Sequence, residues 1–313
     1  MGIVVLGAVF VDIKGYPLDT YIPAGRNEGR VKQIHGGVSR NVVEDIANLE
    51  LRPTFVSLVD DSGTGADVIK KLKNHKVNTD YVRVTPDGMG TWLAVFDNDG
   101  DVCASISKRP DLRPIADILD EHGDEIFKDA DSIVLEIDMD KEAVKRVFKY
   151  AKKYNKKVFA VVANMSIAVE RRDFLQSIDC FVCNQQEAGI LFSDDYSEKT
   201  PEEMIEIIVK NVQKAQIPSM IVTLGSEGAV YADKHGDKGY CPAQKVNVKD
   251  TTGAGDSFCA GVAVGLTYGK NLQESCNIGT RLAASVICTS ENVCPRFLPS
   301  EFGLDVKVDA IQD

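Results

Sequence analysis

The chain has 313 residues, 44% hydrophobic and 27% charged, enough apolar material for one large globular domain or two small ones. A formal net charge of −11 argues against nucleic acid or an anionic membrane as the main partner, while leaving room for a phosphate-bearing small molecule held by local N–H groups. No apolar run reaches membrane-spanning length, and residues 1–11 lack the basic start of a signal peptide, so the expectation is a cytoplasmic protein.

In chain order, residues 3–11 are a β-branched apolar run of the kind found at the centre of a parallel sheet, and Asp12 ends it. Open α/β folds gather ligands at strand C-termini, which makes Asp12 a candidate ligand, although a lone aspartate is commonly a cap. Residues 14–34, with Gly15, Pro17, Pro23, Gly25 and Gly29, are too irregular for a helix and predict short strands projecting from the core. Gly36-Gly37 then opens a predicted amphipathic helix, with Val38, Val42, Ile46, Ala47 and Leu49 at helical spacing. A buried strand at 54–59 and a short helix at 67–74 follow. Residues 91–96 and 102–106 alternate as a hairpin around Asp97-Asn98-Asp99-Gly100. For the single tryptophan, Trp92, simple packing is favoured over a place above a bound ligand or in a dimer surface.

From residue 133 a β/α alternation is plain, with strands at 133–137, 158–162, 180–183 and 219–224 and helices at 141–154 and 201–215. It implies right-handed crossovers and a sheet covered on both faces. Strand ends carry the polar residues Glu136, Asn164 and Asn184. Taken alone, Asn184-Gln185-Gln186-Glu187 is a helix capping box, and the turn through Gly225 and Gly228 after Thr223 is a hairpin connection. The eight cysteines include one C-x-x-C, at 180–183, with no second pair or histidine cluster, and read as reduced core residues.

After a β-like run at 240–248 comes Asp250-Thr251-Thr252-Gly253-Ala254-Gly255-Asp256, opening an apolar helix to Leu266. Gly253 and Gly255 permit a tight turn and leave the N–H groups of residues 253–256 uncovered, at the positive end of a helix. Such N–H groups take an anion, most often phosphate. A carboxylate there, Asp256, needs its own task, and the obvious one is taking a proton from a hydroxyl beside the anion. A helix at 272–288 and a loop at 290–295 complete the pattern.

Residues 250–261, together with Asp12, Gly36-Gly37-Val38-Ser39-Arg40-Asn41, Asn184…Glu187 and Thr223…Gly228 in that order, resemble the ribokinase-like (PfkB) carbohydrate kinase family over nearly the whole chain. The resemblance implies an α/β fold, a three-layer αβα arrangement around a doubly wound, mostly parallel sheet. One domain would span residues 1–313, with a small β-sheet lid from insertions at about 14–34 and 89–108 that covers the substrate and carries a homodimer contact.

It also implies transfer of the ATP γ-phosphoryl group to a primary hydroxyl of a ribosyl compound. Asp256 would be the base, and the N–H groups of Gly253, Ala254 and Gly255 the anion hole. Asp12, Gly36, Gly37, Asn41, Glu136 and Asn164 would bind the sugar, and Asn184, Thr223, Gly225 and Gly228 the ATP. Glu187 would help hold Mg2+ through water. Asp250, the Thr252 carbonyl and the 290–294 loop would hold a monovalent cation, K+. The expected partner is a small sugar or nucleoside, with no nucleic acid and no membrane.

Within the family, Val11-Asp12-Ile13-Lys14-Gly15, Asn27-Glu28-Gly29-Arg30-Val31, residues 36–41 and Gly90-Thr91-Trp92-Leu93-Ala94-Val95 are most similar to the pseudouridine kinases. Glu28, Ser39 and Trp92 depart from the proline, glycine and tyrosine common there. The expected substrate is therefore pseudouridine, with ribokinase or another sugar or nucleoside kinase as alternatives. Asn27 and Thr91 are the candidates for contacts to the base. A regulator that binds a nucleoside without catalysis is the rival from another class, and Asp256 with its glycine turn speaks against it.

Overall fold

The opening apolar run serves two sheets in the computed structural model, which describes residues 2–98 and 102–306. Strand β1 (Val4–Leu6) sits inside a nine-stranded sheet, whereas β2 (Val9–Pro17) peels away into a four-stranded one with β3 (Gly29–Gly36), β6 (Met89–Phe96) and β7 (Val102–Lys108). The break falls at Gly7, where a Cβ would lie 2.0 Å from Ser39 Oγ. Asp12 is thus not at the end of the first strand, as its sequence position suggested. It lies within β2, paired with Ile34 and Trp92.

The large sheet adds β4 (Thr54–Val59), β5 (Asn78–Val84), β8 (Ile133–Glu136), β9 (Val158–Val161), β10 (Cys180–Asn184), β11 (Ser219–Thr223), β12 (Gly228–Asp233) and β13 (Lys238–Pro242). Its order is β13-β12-β11-β10-β9-β8-β1-β4-β5, parallel except where β12 meets β11 and β13. The run expected at 240–248 is strand only as far as Pro242. The hairpin strands β6 and β7 pair antiparallel as expected, while Asp99 and Gly100 of the predicted turn lie outside the described residues.

Helices cover both faces. On one side pack α1 (Val38–Asn48), α2 (Gly63–Asn74), α8 (Ala254–Thr267) and α9 (Leu272–Ile287). On the other pack α3 (Pro114–Lys128), α4 (Lys141–Tyr154), α5 (Met165–Ala168), α6 (Gln185–Phe192) and α7 (Pro201–Ala215). Alternation along β1 feeds both layers, Val4 and Leu6 entering one core and Val5 the other. Among the described residues no helix is long and apolar enough to cross a membrane.

Helix α1 departs most from its sequence pattern. Amphipathic spacing predicts a wet polar face, yet Ser39, Arg40, Asn41, Glu44, Asp45 and Asn48 are all buried. The start of α8, the loop before Cys294 and α2 cover that face and supply its partners. Ser257 Oγ donates to Asp45 Oδ2 (2.7 Å), Cys294 N–H to Asp45 Oδ1 (2.6 Å), Asn48 Nδ2 to the Cys294 carbonyl (2.7 Å), and Lys71 pairs with Glu44 (3.0 Å). Burial pushes the Asp45 carboxyl up to about 7, against the Cys294 and Ser257 bonds.

A folded-state value above the unfolded one, about 4, means that the unfolded chain binds fewer protons between those limits, so this group lowers stability as pH rises through that window. Asp45→Asn keeps an acceptor for Cys294 and a donor for Ser257 but cannot ionise. Urea midpoints from pH 4 to 7 should therefore favour the variant progressively, by on the order of 1 kcal/mol per pH unit. Parallel pH profiles for the two proteins would remove Asp45 as a buried titrating group.

Candidate active site

The site lies where the sheet changes direction. The chain adds β4 and β5 on one side of β1, then returns to add β8 and its successors on the other, which opens a crevice at the strand C-termini. Two glycines join the small sheet to α1 there. A Cβ on Gly36 would meet the Asp12 carboxylate at 2.6 Å, and one on Gly37, whose φ is +98°, would meet the Ala8 carbonyl at 2.7 Å. These glycines therefore let Asp12 lie against the start of α1.

Across the crevice, α8 begins at a turn that only glycine fits. Gly253 has φ +82°, and a Cβ there would lie 2.1 Å from the Asn292 carbonyl. Asp250 Oδ1 accepts the Thr252 N–H at 2.9 Å and shapes the approach. The Ala254 N–H turns back towards the Thr251 carbonyl (3.3 Å), and no side chain caps the helix, so its start is left for an anion. At Gly255 a side chain would project into open space, so the glycine leaves the approach to that helix start clear.

Asp256, in the first turn, receives a hydrogen bond from Asn41 Nδ2 to its Oδ2 at 2.6 Å. The amide of Asn41 is oriented by Arg40, whose guanidinium donates to Asn41 Oδ1, to the His35 carbonyl, and to Glu44 Oε2 at 2.5 Å. With its oxygen so taken, Asn41 has its NH2 left for the aspartate. Burial pushes Asp256 up to about 6, against the Asn41 bond and the Arg40 charge, with Asp12 and Glu187 adding to the rise. A carboxylate so placed is ionised at neutral pH and still basic enough to accept a proton in a transition state. Asp12 is raised by burial too, against Lys14 and Arg40.

Sequence reasoning passed over Arg40, although its spacing to Glu44 is that of an i,i+4 ion pair. Glu136 is buried below the β1–β2 link, accepting from Ala8 N–H (3.1 Å) and Ser39 Oγ (2.8 Å), so it braces the segment that carries Asp12. Burial, with Asp138 beside it, raises its carboxyl. Asn164 heads α5 at the next strand end, partly exposed.

At the far end of the crevice Asn184 and Thr223 are register partners at the ends of β10 and β11. Asn184 and Glu187 cap each other reciprocally, each bond 2.8 Å, which realises the capping box while setting both side chains at the mouth of α6. Burial raises the Glu187 carboxyl. Gly225 and Gly228 take φ of +58° and +112° in the turn after β11.

The small sheet turns one face to this crevice. Asp12, Lys14 and Tyr16 alternate along β2 on the side shared with Trp92, and Tyr16 stacks on Phe96 (4.8 Å) while Trp92 meets it edge-on (6.3 Å). Trp92 is thus a partly exposed neighbour of Asp12, where simple packing was expected. Thr91 pairs with Val11 and belongs to the opposite face. Asn27 is spent on its own loop, accepting the Ile22 N–H at 2.8 Å and donating to the Ile22 carbonyl at 3.0 Å. Neither fits the role of base contact that the sequence suggested.

The family model for the pfkB family carbohydrate kinases matches residues 2–295. A guanosine-inosine kinase from Exiguobacterium acetylicum is 35% identical over 292 residues, 93% of this chain and 95% of that protein. A pseudouridine kinase from Escherichia coli is 27% identical over 263 residues, 83% and 82% of the two chains. The structure of Arabidopsis thaliana ribokinase complexed with ribose and ATP superposes with a TM-score of 0.81 at 21% identity, covering 97% of this chain and 98% of that one, a likeness of fold.

The Asn41 bond to Asp256 yields a direct expectation. Asn41→Leu removes a donor that favours the charged carboxylate, so the pKa of Asp256 should rise above its value of about 6 in carboxyl-resolved carbon NMR titrations. An unchanged or lower value would mean that the bond does not hold Asp256 in the protein.

Proposed function

The chain belongs to the pfkB family of carbohydrate kinases, and from that premise we propose that it moves the γ-phosphoryl group of ATP to the 5′-hydroxyl of a ribonucleoside. The observation that carries the nucleoside reading is the aromatic surface of Trp92, Phe96 and Tyr16 beside Asp12. A nucleobase can stack there, whereas free ribose has nothing to offer it. The greater identity to a guanosine-inosine kinase than to a pseudouridine kinase favours an oxopurine nucleoside as acceptor. That revises the expectation of pseudouridine, which stays as the second reading on the segments at 11–15, 27–31, 36–41 and 90–95.

In this mechanism Asp12, Asn41 and the Gly36-Gly37 backbone orient the ribose, so that its 5′-oxygen meets Asp256. Asp256 takes the hydroxyl proton as that oxygen bonds to the γ-phosphorus and the bond to the ADP oxygen breaks. The N–H groups of the Gly253–Gly255 turn face the charge on the phosphoryl oxygens. Asn184, Thr223, Gly225 and Gly228 border the nucleotide. Magnesium would arrive bound to ATP, with Glu187, at the mouth of α6, reaching it through water. Bound with the nucleotide, magnesium would supply positive charge that offsets that of the phosphates. Asp250, the Thr252 carbonyl and the Asn292 carbonyl that backs Gly253 would hold potassium and steady the turn.

A side-by-side assay of ADP release tests this with guanosine, inosine, adenosine, pseudouridine, uridine and ribose, in potassium, sodium and tetramethylammonium buffers. Guanosine and inosine should exceed ribose by at least roughly tenfold in kcat/KM, a modest demand on a site with base contacts. Potassium should give the highest rate. Asp256→Asn should lose at least about 10²-fold in kcat with ATP binding nearly intact. Ribose as best acceptor would end the nucleoside reading, equal rates in all three salts the potassium site, and a variant keeping half its turnover the assignment of Asp256.

The face of the small sheet turned away from the crevice exposes Val31, Leu93 and Ile106, at 75, 40 and 70% exposure. We propose that two copies pair through it. Light scattering should give twice the chain mass for the native protein and a single mass for Ile106→Lys; a native monomer would refute this.

A further inference from the structure

Lys14 is the charged side chain at this site that the mechanism above leaves unused. It projects from β2 towards the turn before α8, and the residue is only 3% exposed. Among the described residues its ammonium makes one hydrogen bond, to Thr252 Oγ1 at 3.1 Å. An ammonium has three N–H donors, so two have no protein acceptor in a place water hardly reaches. An unmet buried donor of this kind calls for an acceptor from a ligand.

The position says which ligand. Thr252 directly precedes Gly253, so the ammonium lies beside the start of α8, which no side chain caps. The other groups facing the place are largely acidic. Asp12 is two residues back on the same face of β2, and Asp250 holds the Thr252 N–H. Asp256, in the first turn of α8, adds a third carboxylate, itself raised further by Glu187. Arg40 is not free to help, because its guanidinium is committed to Glu44, Asn41 and the carbonyls of His35 and Gly36. Lys32, paired with Lys14 across β3, is exposed and lies over the Tyr16 ring. A phosphoryl group in transfer spreads negative charge over its oxygens and is stabilised by fixed positive charge. Lys14 is the buried cation placed to supply it.

We propose that Lys14 is a catalytic residue that binds the γ-phosphoryl group of ATP and neutralises its charge during transfer. Because Lys14 belongs to the small sheet and Thr252 to the turn of α8, the anion site is complete only while those two parts touch. This rests on the kinase reading of the same site.

The test is equilibrium binding of magnesium ADP and of a magnesium ATP analogue with a non-transferable γ-phosphate, without any acceptor, to wild type, Lys14→Met, Lys14→Gln and Lys14→Arg. Loss of a charged hydrogen bond should weaken the triphosphate by about tenfold or more in the Met and Gln variants, with ADP unchanged within about twofold. Lys14→Arg should recover part of the difference. In turnover, kcat should fall by at least about 10²-fold while KM for the acceptor stays within a few-fold.

Equal weakening of both nucleotides would make Lys14 a mere fastener of sheet to turn and overturn the proposal. So would affinities that do not move. Lys14→Gln keeps a donor to Thr252, so it decides the matter where Lys14→Met fails to fold. Since binding is read without an acceptor, failure of every nucleoside in the activity assay would sink the proposed function and leave this result standing.

Discussion

One buried charge joins the parts of this molecule. The Arg40 guanidinium is fully enclosed, and a charge out of water must be met on every side or it costs several kcal/mol. Glu44, one turn along α1, balances it; the His35 and Gly36 carbonyls at the end of β3 and the Asn41 amide take its remaining donors. Those bonds fix the small sheet to α1 and leave Asn41 one way to face, towards Asp256. Asn292 Nδ2 donates to the same His35 carbonyl at 2.7 Å, while its own carbonyl backs Gly253, so the C-terminal loop belongs to the assembly too. Sheet, helix, loop and glycine turn are registered through one side chain.

The same arrangement explains how a site so rich in carboxylates stays poised. Asp12, Asp256 and Glu187 each have raised pKa values, because burial penalises their charged forms, with Asp138 adding to the rise at Glu187 and Asp12 and Glu187 adding to it at Asp256. Arg40 and Lys14 limit the rise at Asp12, and Arg40 does so at Asp256. Asp45, behind Ser257 and without such a cation, is raised further. The gradient places Asp256, the carboxylate after the glycine turn, in the range a general base requires.

Much of this was legible in the sequence, and the failures have physical causes. The β/α alternation and the glycine turn before Asp256 are local signals, and both appear where the pattern put them. The division of residues 3–11 between two sheets was not legible, since both halves are apolar and β-branched; only contact with Ser39 and Glu136 makes Gly7 a break. The buried polar face of α1 was missed because periodicity records where apolar residues lie, not whether partners exist to cover the polar ones. At Asn184 and Glu187 the capping box is formed as the local pattern reads, and it sets both side chains at a strand end. Thr91 failed as a base contact through strand parity, which one unseen register step decides.

In the proposed mechanism Asp256 meets the acceptor hydroxyl while Asn41 and Asp12 hold the ribose. A crystal structure with guanosine and a non-hydrolysable ATP analogue tests it most directly. The 5′-oxygen should lie within hydrogen-bond reach of an Asp256 carboxylate oxygen, about 3 Å, in line with the γ-phosphorus, and the base against Trp92 and its aromatic neighbours. A ribose bound in the crevice with that oxygen turned away, or another side chain at hydrogen-bond distance in place of Asp256, would contradict it.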